Sequence, residues 1–215
     1  VGLDGSMIGA YGQDDRICGY TLLNAITDCG EPDHSCLAIF TDKEEIGSEG
    51  NTAMKASFLN IFLYNVLDGF GVSSQEHTVK RILFSSKALS GDVNGALNPT
   101  YQEVHERQNA SYLGRGVCIS KFTGHMGKVG ANDANAEYVA EIRGLFNRKG
   151  ILWHTGELGK IDEGGGGTVA KYLAEYGMDI VDCGPSLLSM HSPFEISSKL
   201  DVFETYRAFT VFFQS

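Results

Sequence analysis

The chain has 215 residues, of which 42% are hydrophobic and 20% charged, enough to build one sizeable core. Its formal net charge of −10 argues against coating nucleic acid or an anionic membrane, since both repel an acidic surface. Five cysteines with no CxxC pair argue against a zinc finger or a disulfide framework and fit reduced thiols in the cytoplasm, and no signal peptide or membrane-spanning apolar run is present.

The opening stretch, VGLDGSMIGAYGQ, has neither a helix cap nor a strand pattern, so the chain reads as a piece of a longer one. Spacing then predicts a helix over Asp14 to Asp28, with Asp14 as its cap, and a short buried strand at Cys36 to Phe40. A long apolar helix is expected over Thr52 to Leu67, and Ile82 to Ser90 should end in a short strand. Val117 to Phe122 reads as another strand. Asn132 to Arg148 is the best helix, its apolar side formed by Ala136, Val139, Ala140, Ile142, Leu145 and Phe146. Ile151 to Trp153 is a strand, Gly167 to Tyr176 a helix closed by Gly177, Met178 to Asp182 a strand, and Lys199 to Phe213 a final helix. Strands alternating with helices predict an α/β fold, a layered sheet whose ligands gather beyond the carboxyl ends of the strands.

Five motifs could carry chemistry, and each has an ordinary structural alternative. GQDDR (residues 12–16) places Asp14 and Asp15, followed by Arg16, side by side in a turn before a helix, where a cap with a surface ion pair is the ordinary reading and Asp14 is the candidate ligand. TDKEEIGS (41–48) sends Glu44 and Glu45 out together, as a charged surface turn or as one metal ligand beside a group that reaches water. Asp92 in SGDVNGALNP is a turn aspartate or a ligand. His191 in LLSMHSPFE is a core or turn histidine or a ligand, with Glu195 able to fix its tautomer. In ELGKIDEGGGGT (157–168) four glycines precede a helix, as a hinge or as a close backbone approach to a substrate carboxylate or peptide; no P-loop follows them. Taken together, Asp, Glu, Asp and His at strand ends suit a hydrolytic pair of zinc, manganese or cobalt ions.

These motifs, with ANDANAEYVAEIR, make the chain resemble the aspartyl aminopeptidases, the M18 metallopeptidases, from GAYGQDDR to the C-terminal helix. The resemblance implies that Asp14 bridges two metals across a cis Asp14–Asp15 peptide, that Glu45 and His191 complete one metal's ligands, and that Asp92 holds the other. It implies Glu44 as the general base of a zinc aminopeptidase that removes N-terminal residues from peptides. Acidic first residues would call for a cation, for which Lys128 is the candidate, with Gly167 and Thr168 also on the substrate side.

The family pattern also contains an upstream HxD histidine and an inserted oligomerisation domain. His34, His77, His105, His125 and His154 stand in the wrong contexts to replace that histidine. Residues 1–215 are therefore expected to form the C-terminal part of the catalytic domain, to hold one metal firmly and a second weakly, and to show little activity alone. A homo-oligomer, dodecameric in the intact family, is expected of the parent enzyme. A scaffold without chemistry, or a carboxypeptidase or deacylase of the same clan, are the alternative readings.

Overall fold

The computed structural model describes residues 1–160 and 162–215; Ile161, inside the glycine-rich motif, lies outside them. In chain order the elements are β1 (Met7–Ala10), α1 (Gln13–Asp28), α2 (Phe58–Gly69), α3 (Glu76–Phe84), β2 (Lys87–Ser90), β3 (Asn94–Gly95), β4 (Val117–Ser120), β5 (Phe122–His125) and β6 (Val129–Asp133). They continue with α4 (Ala136–Lys149), β7 (Trp153–Thr155), β8 (Gly165–Gly166), α5 (Ala170–Ala174), β9 (Asp179–Leu188), β10 (Glu195–Ser198) and α6 (Lys199–Phe213).

The fold is α/β, a layered sheet with helices on both faces. Strand β9 is its spine: β10 and β4 pair with it antiparallel, and β2 and β3 pair with it parallel. The path runs β1-β10-β9-β4-β7, and β5, β6 and β8 form a separate three-stranded sheet. Alternation along β9 divides the core. Val181 and Cys183 join Ile17 of α1, Ile142 and Phe146 of α4, and Phe209 of α6. Ile180 instead joins Leu59 of α2, Val79 and Leu83 of α3, and Leu173 of α5.

Helix α6 runs over the residues its periodicity predicts, capped by the Ser198 hydroxyl, which accepts from the Asp201 N–H. In α4 the helix begins later than predicted, because residues 129–133 pair with β5 and Asn135 then caps the Tyr138 N–H at 2.7 Å.

Other expectations are corrected. Residues 36–40 form no strand and lie in no ladder; Cys36 and Ala38 pack against the core without a partner strand. The helix expected from Thr52 starts only at Phe58, since turns at Gly50–Ala53 and Ala53–Ala56 occupy the preceding stretch. Glycines 165 and 166 form β8 and pair with β5, so they do not open a helix and make no anion site at a helix start. Asp14 does not cap α1: Gly12 takes that position at φ 67, and Asp14 and Asp15 leave helical geometry. All five cysteines are free, and no described helix is long and apolar enough to cross a membrane.

Candidate metal centre

Three loops deliver the acidic residues to one place. The first enters α1, where the Asp14–Asp15 peptide bond is cis. The second is a single 3-10 turn, Glu44–Ile46, which follows Lys43 at φ 64 and ends at Gly47 at φ 86. A shift into positive φ on both sides is what lets two consecutive glutamates leave a tight turn together. The third loop leaves β9 and returns as β10, with His191 itself at φ 65.

Asp14 Oδ2, Glu45 Oε1 and His191 Nε2 converge. The imidazole nitrogen lies 2.7 Å from Asp14 and 3.1 Å from Glu45. The Asp14 side chain is almost fully covered, whereas those of Glu45 and His191 are more than half exposed. One imidazole and two carboxylates with ligand atoms within 4.8 Å of one another form a donor set that fits zinc. A second group, Asp14, Asp15 and Asp92, meets the same limit. Asp15 had no role in the sequence reading beyond the adjacent pair in GQDDR, yet its carboxyl is the third one beside Asp92.

A buried carboxylate fixes the first and third loops to each other. Glu195 is 1% exposed and accepts from the backbone N–H groups of Gln13, Asp14 and His191. Its carbonyl accepts from the Gln13 side-chain amide, whose oxygen in turn accepts from Ser197. The sequence suggested that Glu195 sets the tautomer of His191. It holds the His191 main chain instead, at 2.8 Å, and makes no bond to the ring.

Electrostatics give these carboxyls a common trend. Burial, then the Glu45 carboxylate, pushes Asp14 up to about 6. Burial, then Glu45, Asp14 and Asp182, pushes Glu44 up to about 7. Burial holds Asp15 and Asp92 well above the usual range; the Asp14 and Glu44 charges add to it for Asp15, against hydrogen bonding with Cys18 that lowers it, and the Asp15, Asp14 and Glu44 charges add to it for Asp92. Burial works against charge on His191, yet the facing Glu45 and Asp14 carboxylates raise it. Such like-charge crowding is relieved by bound cations.

Without metal, Asp14, Glu44 and Asp182 bind protons more tightly when folded than when unfolded. Their contribution to stability is therefore complete below about pH 4 and lost as pH rises through 6 to 7. Scanning calorimetry of the metal-free chain should show the melting temperature falling from pH 5 to pH 7.5, and added zinc should reverse that fall at the upper end.

The site opens into a cavity of 430 Å³ lined by Asp14, Asp15, Glu44, Glu45 and Asp92 together with apolar Leu22, Leu37 and Phe212. Asp92 owes its position to a glycine opposite: a Cβ on Gly184 of β9 would sit 2.0 Å from the Asp92 carbonyl oxygen. Gly184→Ala should therefore push the Asp92 loop away and destabilise the chain by about 2 kcal/mol, measured by urea unfolding.

The substrate-side candidates are not brought to the cluster. Lys128 lies exposed on the turn between β5 and β6 and does not line the cavity. Gly167 packs against the Gly130 backbone, and Thr168 is buried, its hydroxyl accepting from the Ala170 N–H. Neither residue faces the cavity, although Val169 does.

An α/β sheet whose loops converge two carboxylates and an imidazole, with a further glutamate alongside, offers a donor set suited to a divalent metal ion. The chain belongs to the Aminopeptidase I zinc metalloprotease (M18) family, whose model matches residues 1–213. A Thermotoga maritima relative named "Probable M18 family aminopeptidase 1" is 52% identical over 209 residues, 97% of this chain and 46% of its own length. The solved M18 aminopeptidase of Thermotoga maritima superposes with a TM-score of 0.96 at 51% identity, covering 100% of this chain and 47% of that one. Aminopeptidase I of Clostridium acetobutylicum gives 0.91 at 45%, covering 100% and 46%. The chain spans about half the length of the curated relatives it matches.

Proposed function

We propose that the protein to which this chain belongs is a zinc aminopeptidase that removes N-terminal residues from peptides. The observation that supports it is the convergence of Asp14, Glu45 and His191 with Glu44 in the same turn. Asp14, Glu45 and His191 would hold one ion, and Asp14, Asp92 and Asp15 a second. When bound, zinc supplies Lewis acidity toward the scissile carbonyl and makes water a better acid at neutral pH.

Glu44 does the proton work. Its carboxylate accepts a proton from the attacking water and returns it to the departing amine. Partial burial and neighbouring carboxylates raise its basicity, which suits a group that must both take and give up a proton near neutral pH. Asp14 holds its geometry because Glu195 binds its N–H, and His191 is fixed the same way. The free amino terminus of the substrate would also bind at the metal centre, which would make the reaction an exopeptidase one.

We assign two metal sites of unequal strength: one with an imidazole, and one made of carboxylates alone, which manganese or cobalt would also suit. A cytoplasmic location supported by five free thiols, and a homo-oligomer as large as a dodecamer, complete the proposal; with Lys128 away from the cavity, no residue is assigned to select an acidic first residue. A yeast protein solved as a dodecamer shares the fold, with a TM-score of 0.77 at 24% identity.

The test is metal analysis of the purified chain, followed by assays of the full-length protein on free-amine and N-blocked acidic peptides. Zinc bound and turnover of free-amine substrates only is the expected result. Turnover of blocked peptides would favour a deacylase or carboxypeptidase, and a chain without metal affinity would leave a scaffold.

A further inference from the structure

The turn that presents Glu44 and Glu45 is held by a side chain from a helix distant in sequence. The turn follows Lys43 and closes on Gly47, whose N–H donates to the Glu44 carbonyl at 2.9 Å. The Ile46 and Ser48 N–H groups both donate to the Lys43 carbonyl. The Gly47 carbonyl takes no part in this set: among the described residues no backbone N–H donates to it, but the Tyr172 hydroxyl does, at 3.2 Å. Tyr172 belongs to α5, 125 residues further along the chain.

The Tyr172 ring is fixed independently of that bond. It is partly buried against the cluster that holds Leu59, Val79 and Leu173. The Lys55 ammonium lies 5.4 Å from its centroid and the Lys171 ammonium 4.6 Å, and Lys55 also pairs with Glu49, just past the turn. Four positions on, the Tyr176 hydroxyl accepts from Asn60 of α2 at 3.0 Å, so the α5 segment is tied both to the turn and to the helix that follows it. A hydroxyl on a held ring, bonded at the exit of a three-residue turn, limits how far that turn can rock. Such a bond adds little to overall stability, whereas a reacting group displaced by about 1 Å can cost about 100-fold in rate. The larger consequence is therefore for chemistry.

We propose that Tyr172 is a positioning residue for Glu44: its hydroxyl, bonded to the Gly47 carbonyl, fixes the turn from which the general base reaches the attacking water. The proposal rests on the reading of Glu44 as that base.

The experiment compares full-length wild type, Tyr172→Phe, Glu44→Gln and the double variant. Steady-state kinetics on a free-amine peptide are run at saturating zinc, so that a slackened Glu45 leaves the ion in place, and each protein is melted in parallel. Tyr172→Phe keeps the ring and removes only the hydroxyl. It should lower kcat about tenfold, with KM and melting temperature near wild type. In the Glu44→Gln background the same change should have no further effect on kcat, because no base is left to position. Wild-type kcat in Tyr172→Phe overturns the proposal. So does a loss that persists undiminished in the Glu44→Gln background, and so does failure of Tyr172→Phe to fold, which would make the hydroxyl a structural tie. If Glu44→Gln loses turnover and Tyr172→Phe does not, the base stands and only the role of Tyr172 falls. If Glu44→Gln keeps wild-type turnover, both fall.

Discussion

Glu44→Gln in the full-length protein should lower kcat by about 10³-fold, within the range lost when a general base is removed, while zinc content stays at the wild-type level. Glutamine keeps the shape and one acceptor oxygen but cannot take a proton. Glu44 is not among the residues that converge with His191, so metal retention is the expected companion result. The rate is read from steady-state kinetics on a free-amine peptide, and the metal by elemental analysis of the same preparation. Turnover near wild type would remove Glu44 from the chemistry, and loss of zinc would make it a ligand instead.

The second large effect is expected at a residue that touches no metal. Glu195→Ala deprives three backbone N–H groups, on two different loops, of their shared acceptor. Charge-assisted bonds of this kind are worth about 1.5–3 kcal/mol each, and orphaned buried donors add to the loss. The contributions overlap, so about 4 kcal/mol of destabilisation is the expected total in chemical unfolding. Zinc affinity should drop as well, because Asp14 and His191 lose their fixed spacing. Glu195→Gln, which keeps an acceptor oxygen, should recover much of the stability. A stable Glu195→Ala variant with intact zinc binding would show that the two loops are held by something else.

The sequence reading and the structure agree most where chemistry and local geometry coincide. Helix α6 was legible because its cap, apolar stripe and end all lie in one continuous stretch. Four acidic or histidine motifs could be singled out because each combines a ligand-type side chain with a turn. Taken together they suggested one metal site, but the device that joins the first and third loops, Glu195 reaching back across the chain to Gln13, was not legible. Residues 36–40 were misread because an apolar run records burial and says nothing about a ladder partner. The three-stranded sheet was missed because FTGH, VGAND and the two glycines of β8 lack alternating apolar residues.

The position of β9 has a consequence for how the molecule comes together during synthesis. Strands β2 and β4 leave the ribosome well before the segment that must lie between them, and Lys87 finds its partner only when Asp179 has emerged. Until then their amides and apolar side chains are open to other molecules, a condition that slows assembly and calls for chaperone cover. The segment from Asp179 to Leu188 thus acts as the keystone for β2 and β4, so a truncation or stall before residue 179 leaves those strands without an arch to close.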